Sequence, residues 1–189
     1  MNQQELIVKL RQGDQQAFRE LVDTWQNMAY NTAIGIVQNA EDAEDITQES
    51  FIQVFNSINT FRGDSKLSTW LYRIVVTKSL DHEKRKKRKK RFAVLENIFG
   101  VTERVHPPDF NHPGVEAEKK ERAAELFKAL KEIPDKQRIA FTLHKLEGLS
   151  YQEVADVMET SLYSVESLMV RAKNNLRKKL EKFYNNDEQ

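Results

Sequence analysis

The chain has no cysteine among its 189 residues. That absence removes disulfide frameworks, thiolate nucleophiles and the cysteine-containing zinc fingers together. Glycine is scarce, at six residues, and no phosphate-cradling glycine loop, Gly-x-Ser-x-Gly elbow or His-Glu-x-x-His pair occurs. The signatures of phosphoryl-transfer, acyl-transfer and zinc-hydrolase chemistry are therefore missing. His82, His106, His112 and His144 are scattered along the chain; solvated imidazoles account for them better than a metal site does. Long apolar runs are missing too. Stretches such as Ile74 to Val76 are far too short to cross a bilayer, and Met1 to Asp14 lacks the apolar centre of a signal peptide. The expectation is a cytoplasmic protein without membrane insertion, with no catalytic residues, no metal and no cofactor.

What is present is helical pattern and charge. With 39% hydrophobic and 31% charged residues, the composition is that of one large or two small soluble domains. The net charge of +1 conceals strong segregation. Residues 1–60 carry 3 basic and 9 acidic groups, net −6, whereas residues 61–92 carry 12 and 3, net +9. Residues 93–125 have 4 and 7, and residues 126–189 have 11 and 10. An acidic front beside a basic block suggests two different partners, a protein surface and a polyanion.

Phe18, Leu21, Val22, Trp25, Met28 and Ala29 recur every three or four positions, which predicts a helix capped by Asp14 and running to about Val37. Asn39 and the acidic turn Glu41, Asp42 open a second, whose buried stripe is Ala43, Ile46, Phe51, Val54, Phe55 and Ile58. After Gly63 and Asp64, the positions Leu67, Trp70, Leu71, Ile74 and Val75 predict a third that extends into the basic run. Residues 92–116 hold three of the four prolines and no sustained period, the composition of a flexible linker. Helical pattern returns from Glu116 to Glu132 and from Asp135 to Glu147. No strand pattern is seen. The expected fold is all-α: two small helical domains, 1–91 and 117–189, joined by the linker.

Eight consecutive cations, Lys84 to Arg91, follow Phe61, Trp70 and Tyr72 along what reads as one rod. Cations neutralise phosphates without reading sequence, while aromatic faces hold unstacked bases, so the pairing points to nucleic acid. In the C-terminal domain, Ser150 and Glu153 have the spacing of a capping box. The short helix that it starts, the connection Glu159 to Ser161, and the stripe Leu162, Val165, Met169, Ala172 and Leu176 make a helix-turn-helix pattern. That stripe leaves Tyr163, Ser164, Glu166, Ser167, Val170, Arg171, Lys173 and Asn174 outward, suited to a major groove. An ordinary helical bundle has the same periodicity. Glu166 has two readings, acceptor of a cytosine amino group or solvated helix charge.

Three segments together resemble the bacterial sigma factors of the extracytoplasmic-function class. Asp42 to Phe51 is similar to the family's core-polymerase-binding helix. Phe61-Arg62-Gly63-Asp64-Ser65 with Leu67 to Ile74 is similar to its promoter-melting segment. Ile133-Pro134-Asp135-Lys136, through the helix-turn-helix to Arg177, is similar to its minus-thirty-five-reading domain. The resemblance implies a factor that lends promoter specificity to RNA polymerase and helps to separate the strands. It assigns Phe61, Arg62, Asp64, Ser65 and Lys66 to a pocket for a flipped minus-ten base, with Trp70 either supporting that pocket or at the melting fork; the place of Trp70 on the buried stripe equally allows a purely core role. Arg73, Thr77, Lys84, Arg85 and Arg88 continue the minus-ten and upstream contacts. Ser164, Glu166, Ser167, Val170, Arg171 and Lys173 face the minus-thirty-five element. Asp42, Asp45, Gln48, Glu49 and Ile52 dock on the polymerase β′ clamp helices. The implied partners are core RNA polymerase, through its β′ and β subunits, promoter DNA and an anti-sigma factor, the free chain being monomeric.

The chain departs from the family's usual residues at Thr77, where asparagine is common, at Glu166, where lysine or arginine is common, and at Leu168, often arginine. Its minus-thirty-five sequence should therefore differ from the common one. A free-standing helix-turn-helix regulator would leave the acidic helix and the Phe61 to Arg73 segment unused. An RNA-binding or membrane-surface protein explains still less of the chain.

Overall fold

The computed structural model describes the backbone of residues 2–97 and 117–184, and the side chains of residues 2–89 and 123–181. Among the described residues every regular element is helical. Helix α1, Gln3–Arg11, lacks a counterpart in the sequence reading. Its signal was an Asn2 and Glu5 capping box, which the structure closes in both directions, with Leu6 and Leu10 buried one turn apart. Gly13, at φ 75°, turns the chain into α2, Gln15–Val37. There the Asp14 carboxylate accepts from the amides of Gln16 and Ala17, which holds its pKa below the usual range.

Helix α3, Ala40–Ser57, starts where expected, with the Asn39 side chain accepting from the Asp42 amide. A single 3₁₀ turn, Ile58–Thr60, leads to the loop before α4, Leu67–Asn97. That helix carries the basic run and passes the expected linker start at residue 92; residues 98–116 lie outside the described residues. Phe61 precedes α4 rather than riding on it.

In the C-terminal half, α5 is Ala117–Lys131 and α6 is Asp135–Phe141, which runs on into one π turn, Thr142–Leu146. Helices α7, Tyr151–Met158, and α8, Leu162–Tyr184, complete it. The stripes of α2, α3 and α4 meet in one core: Leu21, Ile36, Ile46, Val54, Leu67, Leu71 and Val75 are at most 2% exposed. Burying side chains of this size is worth roughly 1.5–3 kcal/mol each, enough to set the helix register. Two residues assigned to buried stripes lie outside them. Phe55 is 48% exposed, because α3 has turned its ring toward Phe18 at the surface, and Leu162 is 42% exposed at the first turn of α8.

The two halves pack on one another. Ile139, Leu143, Leu149, Val154, Val165 and Met169 join the same apolar cluster as the α2 to α4 core. Helix α2 meets α6 and the π turn, while α4 meets α7. Gly35 in α2 marks the closest approach, since a Cβ there would stand 2.5 Å from Thr142 Cγ2. Glycine inside a helix costs about 1 kcal/mol relative to alanine. Here it admits the π turn, and Thr142 Oγ1 donates to the Gly35 carbonyl at 3.3 Å.

Candidate nucleic-acid interface

The loop from Phe61 to Lys66 turns at Gly63, φ 84°. Arg62 and Asp64 project fully into solvent and pair at 3.4 Å, a contact worth only a few tenths of a kcal/mol. Ser65 is half-buried beside them. Phe61 lies beneath the loop, 4% exposed, its carbonyl accepting from Arg11 and its ring 5.1 Å from that of the half-buried Trp70. Phe61 therefore forms the floor on which Trp70 rests, and its own face is covered. Farther along α4, Thr77, Lys84, Arg85 and Arg88 are exposed. Lys84 is held at 3.3 Å from Asp81.

On the opposite half, the predicted capping box is present: the Ser150 hydroxyl accepts from the Glu153 amide, and Glu153 Oε2 accepts from the Ser150 amide. Those bonds, with Lys66 behind them, hold the Glu153 carboxyl below its usual pKa. Ser161 Oγ accepts from the Ser164 amide and so caps α8. Val165, Met169, Ala172 and Leu176 are buried as the stripe requires. Glu166, Val170, Arg171 and Lys173 are exposed, and Ser164 and Ser167 are half-buried. Tyr163 and Val170, 77% and 60% exposed, are large apolar groups presented to water. A cleft of about 340 Å³ runs along this face, with Lys136, Tyr163, Ser167 and Arg171 in its wall. Tyr163 is one of the outward residues expected from the stripe, whereas Lys136 was not among the expected contacts; its signal was position, at the start of α6.

The acidic face of α3 is a third surface. Asp45 and Gln48 are exposed, and Glu49 pairs with Lys78 at 3.3 Å. Asp42 is only 20% exposed, because Lys86 Nζ at 2.7 Å and His82 Nε2 at 3.2 Å approach its carboxylate. Ile52, 58% exposed, and Phe55 form an apolar centre beside these groups.

The structure also places two of the expected DNA contacts against the other half of the chain. Lys66 Nζ lies 3.2 Å from Glu153. Arg73 donates Nε and Nη2 to the Asp156 carbonyl at 3.0 and 2.7 Å, and its Nη1 is 3.4 Å from Glu159. Between them Tyr72 donates to Glu147 at 3.3 Å. Burial raises the Tyr72 pKa, and burial lifts that of Glu147 to about 7. Among the described residues no group of His, Asp and Glu is arranged to hold a metal, and no helix is long and apolar enough to cross a membrane.

Comparison with known proteins accounts for both halves. Residues 21–89 match Sigma-70 region 2, and residues 123–176 match Sigma-70, region 4. The RNA polymerase sigma-H factor of Pseudomonas aeruginosa is 32% identical over 180 residues, which cover 94% of this chain and 93% of that one. The ECF RNA polymerase sigma-E factor of Haemophilus influenzae is 31% identical over 183 residues, 96% of each chain. Among solved structures, CnrH in complex with the cytosolic domain of CnrY shares the fold at TM-score 0.70, with 20% identity over 95% of this chain and 97% of that one. The sigma factor RpoE of Bartonella quintana, in complex with the anti-sigma factor NepR, gives 0.62, with 22% identity over 87% and 96% of the chains.

Proposed function

The chain belongs to the sigma-70 family, as an RNA polymerase sigma factor of the extracytoplasmic-function class that directs promoter-specific transcription initiation, and we propose how its three surfaces divide that work. Helix α3 docks on the β′ clamp helices of core polymerase, with Ile52 and Phe55 as the apolar centre and Asp45, Gln48 and Glu49 as the polar rim. An apolar centre inside a charged rim supplies affinity and register respectively. Asp42, tied to Lys86 and His82, braces α3 against α4.

The loop of Arg62, Asp64, Ser65 and Lys66, floored by Phe61 and Trp70, receives a flipped base of the minus-ten non-template strand. Extruding a base costs a few kcal/mol, which a polar-rimmed aromatic recess recovers. Arg73 and Thr77 follow the strand, and Lys84, Arg85 and Arg88 hold duplex phosphates upstream. Helix α8 enters the major groove of the minus-thirty-five element: Ser164, Glu166 and Ser167 meet base edges, Val170 packs on them, and Arg171 and Lys173 hold phosphates. The expected occupants are core polymerase, through β′ and β, and promoter DNA in the cytoplasm, as a non-catalytic factor. The two solved relatives bind an anti-sigma factor or a cytosolic protein domain, and a partner of that kind is proposed for this chain.

The observation that carries this reading is the order of two matched regions on one chain, the second presenting a capped helix-turn-helix with a cationic outer face. Polymerase reconstituted with the purified chain should transcribe a discrete subset of a randomised promoter library. Failure to associate with core enzyme would refute it.

A further inference from the structure

We propose, resting on the assignment of α8 to the minus-thirty-five element made above, that Tyr163 is a specificity-determining residue. Its ring lies against the 5-methyl group of a thymine in the major groove and so selects an A·T pair at one position of that element.

Tyr163 is the second residue of α8. In a helix-turn-helix the opening residues of the second helix meet base edges, and here the opening turn is fixed. Ser161 Oγ accepts from the Ser164 amide at 3.1 Å and shares a hydrogen bond with the Ser164 hydroxyl at 2.8 Å. Ser164 is thereby tied to the cap, whereas Tyr163 stands clear of it. The Tyr163 side chain is 77% exposed, the highest value of any large apolar group among the described residues. No cation occurs from Leu162 to Val170, the first being Arg171. Phosphate attraction therefore cannot hold the front of α8, and contacts to the bases have to set its register. For an aromatic ring in the major groove the apolar contact on offer is the thymine methyl.

The surroundings of the ring favour a base over the backbone. Tyr163 forms one wall of the cleft of about 340 Å³, to which Met158 and Leu168 add apolar lining and Lys136 and Arg171 add charge. Both cations are exposed and stand ready for phosphates, so the backbone has its partners without the phenol. A tyrosine also has two rotatable side-chain bonds, and fixing it on a methyl group costs little entropy. Glu166 stands three residues farther along α8, a rise of about 4.5 Å against about 3.4 Å for one base-pair step, which puts the thymine roughly one or two steps from the pair that Glu166 faces. Apolar contact and carboxylate thus address neighbouring pairs, one through a methyl group and the other through an amino group.

Deoxyuridine in place of thymidine removes that methyl and nothing else. Polymerase reconstituted with the full-length chain is given its preferred promoter from a randomised library, with each thymine of the minus-thirty-five element, on either strand, replaced by deoxyuridine in turn. One replacement should weaken promoter binding by about fourfold, the worth of one buried methyl group, and Tyr163→Ala should abolish the sensitivity at that position alone. Tyr163→Phe, which keeps the ring and removes the hydroxyl, should retain it. The side chain lies outside the core, so both variants keep the fold. Methyl sensitivity that survives in Tyr163→Ala, or that is lost equally in Tyr163→Phe, would overturn the proposal. So would binding by Tyr163→Ala that is weakened to the same extent at every sequence, the mark of a backbone contact. If the parent chain itself showed no preference among minus-thirty-five sequences, the fault would lie with the assignment of α8.

Discussion

Gly35 offers the sharpest perturbation, because two opposing effects of one methyl group can be separated. In an isolated α2, Gly35→Ala should stabilise by about 1 kcal/mol through helix propensity. In the full chain, the new Cβ would sit 2.5 Å from Thr142 Cγ2 and 3.1 Å from Thr142 Oγ1. Overpacking of this kind costs about 1–3 kcal/mol, so the net change should lie between neutral and about 2 kcal/mol destabilising. Thr142→Ser removes the clashing methyl and keeps the hydroxyl that donates to the Gly35 carbonyl. Alone it should cost about 1 kcal/mol for the buried methyl. Together the two changes should recover part of the clash, a coupling of about 1–2 kcal/mol in the double-mutant cycle. Both tryptophans, Trp25 and Trp70, lie in the N-terminal half, so urea unfolding followed by their fluorescence reads the half that Thr142 does not belong to. If Gly35→Ala raised stability by about 1 kcal/mol and the cycle closed within about 0.3 kcal/mol, the halves would be energetically independent and the reasoning wrong.

The contact between the halves should also depend on pH through Glu147. Its pKa is raised to about 7 from an ordinary 4.5 by burial, with the Tyr72 hydroxyl facing it and Glu153 also near the phenol. A raised carboxyl favours the protonated form with the halves in contact, so that contribution is present below about 4.5 and is lost as pH climbs through 7. Because Glu147 is partly solvated, the effect should stay near 1 kcal/mol; Glu147→Gln should flatten the profile of urea stability against pH, and an unchanged profile would remove the residue from that dependence. Reversing charge at Asp45 should weaken competition for core polymerase by several-fold, and Phe55→Ala should weaken it more, as expected of an apolar centre rather than its rim; equal binding by both variants would exclude α3 as the docking face. Replacing Arg171 should weaken minus-thirty-five binding for all sequences, whereas Glu166→Gln should change the preferred base at one position, the change being worth about 1–3 kcal/mol of discrimination. An unaltered motif in binding-site selection would make Glu166 a solvated charge.

Local codes were readable in the chain because local physics writes them. Asp14, Asn39 and Ser150 cap the helices their spacing implied, and the stripes of α2, α4 and α8 are buried nearly as periodicity required. The proposed sites could be drawn from sequence for a related reason: each lies on a single helix or one loop, so that neighbours in sequence are neighbours in space. Phe55 and Leu162 escaped because each sits at the edge of a stripe, where period alone cannot tell the last buried position from the first exposed one. Helix α1 escaped because its box opens with asparagine in a polar stretch whose only buried groups are Leu6 and Leu10.

What no periodicity could disclose is that one half meets the other. The partners Gly35 and Thr142, Lys66 and Glu153, and Arg73 and Asp156 are separated by 107, 87 and 83 positions. Each member alone has an ordinary local explanation: a weak spot in a helix, an exposed cation, a capping carboxylate. Only juxtaposition shows them to be partners, two of them residues proposed to hold DNA. A carboxylate that serves first as a helix cap and then as a counterion, as Glu153 does, is bound to α7 whether or not the halves meet. The counterion role therefore adds no ordering cost to their contact, which is why a surface ion pair ordinarily worth little can still contribute to a contact whose larger part is apolar.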